Sequence, residues 1–190
     1  MNSSLKGNLP NFLTLSRGIL VILIAILFFS DLPAKFIIIY ILFLLASLSD
    51  YLDGKLARKW MVKSNFGVVF DSLFDKVFTF VMYILLIPYS LLHIGVYIAL
   101  VFRDLLVDGI KNFSLSKGQP ISPKMSGKLK MVFQTLLINF GLLLLIFPNN
   151  GVLKLLLIIS ATAALIFSYY SGLLYVYDWI NPPKTKNKKK

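Results

Sequence analysis

Four aspartates crowd one short stretch of this 190-residue chain: Asp50 and Asp53, then Asp71 and Asp75. In a helix, the i, i+3 spacing of the first pair and the i, i+4 spacing of the second each set two carboxylates on one face. A short basic loop joins the two stretches, so their helices are expected to be antiparallel neighbours with all four carboxylates converging. Four anions in a small space repel one another strongly enough to force protons onto some of them, unless cations are held between them. Hard divalent ions such as Mg²⁺ or Mn²⁺ suit an all-carboxylate set and commonly bridge it to substrate phosphates. With no cysteine and a single histidine, zinc is a poor candidate. Pairing with Arg58, Lys59, Lys63 and Lys76 would account for one such aspartate, but not for four at two helical spacings.

Small residues flank these acids. Gly54 follows Asp53, Ala57 lies one turn on, and Gly67 lies one turn before Asp71. They permit close helix packing. Beside carboxylates they also leave room for a ligand against the backbone, and Arg58 adds a fork suited to phosphate.

The elements that must position these groups are long and apolar. Hydrophobic residues make up 57% of the chain and charged residues 15%, against the ~25% charged of a soluble domain. Six stretches, at 11–30, 34–57, 67–88, 90–111, 129–147 and 152–178, reach the roughly 20 residues needed to cross a bilayer core. The first reads as a span rather than a cleaved leader, since no small-residue cleavage site follows it. Breaks fall at Ser30-Asp31-Leu32-Pro33, Pro88, Gly118-Gln119-Pro120 and Pro148-Asn149-Asn150-Gly151. Lys and Arg gather at the amino end, in residues 58–66 and 111–130, and in the tail, so both termini are expected in the cytoplasm. The expected fold is therefore an all-α integral membrane protein of six transmembrane helices. It comprises one domain over residues 1–181 and a basic tail over 182–190. The net charge of +12 belongs to membrane-facing loops rather than to a nucleic-acid surface.

Residues 50–75 read Asp50-Tyr-Leu-Asp53-Gly54-Lys-Leu-Ala57-Arg58, then Gly67, Asp71 and Asp75 at fixed intervals. This resembles the signature of the CDP-alcohol phosphatidyltransferase family, with all eight positions filled. At about 6% usage per residue, a chance match is on the order of 10⁻⁷. The resemblance implies a six-helix membrane enzyme, commonly a homodimer, that moves a phosphatidyl group from a CDP-linked donor to an alcohol and releases CMP. It implies two divalent cations, Mg or Mn, on Asp50, Asp53, Asp71 and Asp75, with Asp75 also the general base. It implies contacts to the cytidine diphosphate from Asp50, Asp53, Gly54, Ala57, Arg58, Gly67 and Asp71.

The amino end, residues 8–17, reads Asn-Leu-Pro-Asn-Phe-Leu-Thr-Leu-Ser-Arg and resembles the opening of the bacterial phosphatidylglycerophosphate synthase branch. Arg103, Lys111, Lys128 and Lys130 align with basic positions of that branch. The implied substrates are CDP-diacylglycerol and glycerol 3-phosphate, the acceptor phosphate being gripped by these four cations. Arg103 stands in an otherwise apolar span, which favours a buried anionic partner. Asp104 and Asp108 could instead pair with Arg103 or Lys111, and the loop lysines could bind anionic lipid heads. The branch usually has Asp-Pro-x-Ala-Asp-Lys where this chain reads Asp71-Ser72-Leu73-Phe74-Asp75-Lys76, so the acceptor could be inositol phosphate or another alcohol. A small cation transporter would carry its charges near mid-membrane and often show an internal repeat, and neither is found. His93 is expected at an outer turn without partners. Trp60, Trp179 and the tyrosines between 169 and 177 are expected in the interfacial belt.

Overall fold

A computed structural model describes residues 18–60, 65–117, 121–122 and 124–181; for residues 50–60 and 65–72 it describes the backbone alone. The described residues form six helices: α1 (Gly18–Phe29), α2 (Lys35–Trp60), α3 (Asn65–Leu86), α4 (Ile94–Ser116), α5 (Met125–Ile146) and α6 (Gly151–Ile180). The protein is all-helical over these residues. α5 and α6 are long and apolar enough to cross a membrane. α3 and α4 are of similar length, but α3 carries Asp71, Asp75 and Lys76 and α4 carries Arg103, Asp104, Asp108 and Lys111. The charges that suggest chemistry are thus the ones that interrupt the apolar runs.

Local chemistry sets the helix ends. α1 stops at Ser30, whose hydroxyl donates to the Leu27 carbonyl, and the Lys35 ammonium reaches back to the Phe28 and Ser30 carbonyls at 3.0 and 2.9 Å. Those contacts satisfy acceptors that the helix end leaves open. Pro88 lacks the N–H needed to continue α3, and Ser90 then adopts a positive φ of 57° in the turn. The expected start of the fourth span at 90 is therefore too early. α4 begins at Ile94, and His93 is its N-cap, accepting a hydrogen bond from the Gly95 N–H at 3.1 Å. His93 is exposed, as expected, but it has a partner. Asn150 caps α6 in the same way, accepting from Leu153 N–H at 3.1 Å.

The described residues fall into two compact units, one within 18–89 with 142–149 and the other within 90–141 with 150–181. In the first unit, α2 and α3 run antiparallel, because Phe36 meets Tyr89 while Phe43 stacks on Phe78. Phe74 lies over Gly18 of α1, where a Cβ would fall 2.7 Å from the ring. This accommodates a phenylalanine where the synthase branch that the sequence resembles usually has alanine.

In the second unit, contacts climb α4 and α6 together. The Tyr169 hydroxyl donates to the Ala99 carbonyl, Arg103 meets Ser171 and Gly172, and Phe113 meets Trp179. The two helices are therefore parallel. α5 runs against α6, with Gly127 near Tyr175 and Phe133 stacked on Phe167. The C-terminal end of α4, the start of α5 and the C-terminal end of α6 consequently share one end of this group. Ser160, Ala164, Ser168, Ser171 and Gly172 make the buried side of α6 small, which allows close approach of backbones.

Candidate functional site

The antiparallel register of α2 and α3 follows from Phe43 opposite Phe78. Continuing both helices from that pair runs the Asp50 and Asp53 end of α2 alongside the Asp71 and Asp75 end of α3. The side chains of Asp50, Asp53, Gly54, Ala57, Arg58, Gly67 and Asp71 lie outside the described residues, as does the 8–17 opening. Asp75 is described and half-buried, and its own carbonyl accepts a hydrogen bond from the Thr79 hydroxyl at 2.9 Å.

Arg103, Lys111, Lys128 and Lys130 are described in full, and they lie in the second unit. Arg103 and Asp104 are 7% and 6% exposed, in the middle of α4. The Arg103 Nη1 donates to Asp104 Oδ1 at 2.8 Å, and Nη2 donates to the Ser171 hydroxyl. The Ser171 proton goes to the Ser168 carbonyl at 3.1 Å, which leaves the oxygen lone pairs facing the guanidinium. From α5, the Lys130 ammonium donates to both Asp104 oxygens at 2.8 Å, and Gln134 donates to Oδ2 at 3.2 Å. Asp104 therefore binds two cations at once, the buried Arg103 and the part-buried Lys130. The pairing of Arg103 with Asp104, one of the alternatives open in the sequence, occurs. It is joined by a lysine 26 residues away in sequence.

Charge balance gives this cluster its character. Arg103, Lys111 and Lys130 stand against Asp104 and Asp108, whose charge also reaches Lys130. Three cations against two carboxylates leave a net positive charge around a buried core, and burying uncompensated charge is costly. The Arg103 Nε is buried with no hydrogen-bond partner. Gly172 makes room for it: a Cβ there would lie 3.2 Å from Nε and 3.5 Å from Cγ. An anion at this place would complement both the surplus charge and the unused donor.

Lys111 rests its ammonium 4.3 Å from the ring centre of Tyr175. Lys128 is exposed in the first turn of α5. The structure thus brings Arg103, Lys130 and Asp104 into direct contact and sets Lys111 on the same helix two turns along from Arg103.

A family model described as CDP-alcohol phosphatidyltransferase matches residues 7–171. The chain belongs to the CDP-alcohol phosphatidyltransferase family. Several proteins similar to it carry the name CDP-diacylglycerol–glycerol-3-phosphate 3-phosphatidyltransferase. One from Mycoplasma pneumoniae is 42% identical over 98 residues, covering 52% of this chain and 43% of that protein. One from Mycoplasma genitalium is 34% identical over 156 residues, covering 78% and 66%. One from Bacillus subtilis is 28% identical over 192 residues, covering 95% and 99%. The match thus spans less than two thirds of the two Mycoplasma relatives and nearly the whole of the Bacillus protein.

Within this family frame, several residues of the basic cluster escaped the sequence: Gln134, Ser171, Gly172 and Tyr175. Tyr175 was grouped with the interfacial tyrosines, yet it is 3% exposed, whereas Tyr169, Tyr170 and Tyr177 are exposed as a belt requires. The available signal was the recurrence of Ser168, Ser171, Gly172 and Tyr175 at helical spacing within an apolar run.

Proposed function

We propose that this chain transfers the phosphatidyl group from CDP-diacylglycerol to sn-glycerol 3-phosphate, giving phosphatidylglycerophosphate and CMP in phospholipid synthesis. The observation that carries the reading is the filled aspartate signature, in a chain of this family whose α4–α6 unit holds a buried, net-positive cluster. The names of the relatives support the same pair of substrates.

In this reading Asp50, Asp53, Asp71 and Asp75 hold two divalent cations, Mg or Mn. The donor chemistry fits: the set is all carboxylate, and the α2–α3 register carries both aspartate pairs to one end of the helix pair. The cations, when bound, neutralise charge on the pyrophosphate and on the departing CMP. Gly54, Ala57 and Gly67 give the nucleotide access to the backbone, and Arg58 forks onto its phosphates. Arg103, Lys111, Lys128 and Lys130 hold the acceptor phosphate and so orient the glycerol hydroxyl. Asp75 takes the proton from that hydroxyl as it attacks the phosphorus of the diacylglycerol phosphate. The P–O bond to CMP breaks and the bond to the glycerol oxygen forms. Residues 1–181 act as one membrane domain crossing the bilayer six times. Both termini and the site face the cytoplasm, the 182–190 tail lies against anionic lipid, and the enzyme is a homodimer.

The test follows CMP release by the purified full-length protein in detergent with CDP-diacylglycerol and Mg²⁺ or Mn²⁺. Glycerol 3-phosphate, inositol phosphate and serine are offered separately. Release with glycerol 3-phosphate alone, abolished by EDTA and lowered at least ~10³-fold by Asp75→Asn, is expected. Release with a different acceptor would overturn the substrate assignment, and full activity of Asp75→Asn would overturn its role.

A further inference from the structure

Tyr175 joins three separate parts of the basic cluster although it carries no charge. Its ring lies under the Lys111 ammonium of α4 at 4.3 Å. Its hydroxyl accepts a hydrogen bond from the backbone N–H of Lys124, the residue leading into α5, at 3.1 Å. Gly127, in the first turn of α5, comes up against the same hydroxyl, where a Cβ would stand 3.4 Å away. One turn along α6, Asp178 pairs with the Lys124 ammonium at 2.8 Å. The side chain thus sets where a cation of α4 sits and where α5 begins, and with it the placement of Lys128 and Lys130.

The burial of Tyr175 alone could be explained by its hydrogen bond. That does not explain an ammonium over the ring face, a place where the ring quadrupole attracts a cation most strongly when water is scarce.

We propose that Tyr175 is a positioning residue for the acceptor phosphate. It holds Lys111 through its ring and the start of α5 through its hydroxyl. The proposal rests on the reading that Lys111 and Arg103 grip that phosphate.

Steady-state rates of the full-length enzyme, with each substrate varied in turn, test it. Tyr175→Leu is expected to raise the KM for glycerol 3-phosphate on the order of tenfold. The KM for CDP-diacylglycerol should change less than about twofold. Phenylalanines bearing one, two or three ring fluorines at position 175 keep the fold and the shape while draining charge from the ring. Acceptor KM should climb with each fluorine relative to Tyr175→Phe, and this series decides the matter if Tyr175→Leu does not accumulate. In a Lys111→Met background the fluorine dependence should vanish. A fluorine series flat in acceptor KM, or one that raises both KM values alike, overturns the proposal. If Lys111→Met and Arg103→Gln leave acceptor KM unchanged, the acceptor-site reading itself fails. If they raise it while the fluorine series stays flat, only the role of Tyr175 fails.

Discussion

Asp104 is the residue on which the α4–α6 unit turns. One buried carboxylate accepts from Arg103, Lys130 and Gln134, so its oxygens are shared among two cations and an amide. Removing one partner of a buried ion pair leaves the other charges without compensation, and that costs more than the pair contributes. Asp104→Asn is therefore expected to destabilise the protein by about 3 kcal/mol. Reversible unfolding in mixed micelles measures this. Asp104→Glu, which keeps a carboxylate for both cations, should recover part of the loss. An Asp104→Asn protein as stable as the parent would mean that Arg103 and Lys130 find other anions within the fold. The sequence showed Arg103 as a charge out of place in an apolar span, but its partner Ser171 lies 68 residues away, and the Lys130 that shares Asp104 lies 26 residues from that acid, beyond any local pattern.

Among the elements, α1 and α3 meet at a contact that accommodates a departure from the usual run of the synthase branch. Phe74 stands where alanine is usual, and Gly18 offers the bare backbone over which its ring lies. A methyl group at residue 18 would fall 2.7 Å from the Phe74 ring, well inside contact distance. Overpacking of this kind costs about 1–3 kcal/mol. Gly18→Ala should lower thermal stability in detergent by that amount, while Gly18→Ala with Phe74→Ala together should cost less than the two changes summed. Strict additivity would mean that the two residues do not share a contact. Helix ends were legible in the sequence where proline, serine or asparagine stood in the turns. The start of α4 was not, because Pro88 ends one helix without saying where the next begins. His93 decides that by capping Gly95 with a ring nitrogen, a role its residue type alone seldom signals.

At the scale of the molecule, charge placement makes a claim about sidedness. The chain has no cysteine, so single cysteines report cleanly on which side of a membrane a residue lies. Asp31→Cys and Asn149→Cys, in loops poor in Lys and Arg, should react with an impermeant maleimide on intact cells. Lys117→Cys should react only after the membrane is opened. Labelling of Lys117→Cys from outside would overturn the assigned orientation. The apolar stretches, the basic segments and the spacing of Asp50, Asp53, Asp71 and Asp75 were determined by the sequence alone, because each depends on local composition or on the period of a single helix. The tertiary structure alone decided which way each helix turns about its axis. A helix that is apolar all round carries no stripe to mark its buried side. Hence the sequence could list Arg103, Lys111 and Lys130 but could not say that Asp104 would bind two of them. Nor could it say that Tyr175 would leave the interfacial belt to sit beneath the third.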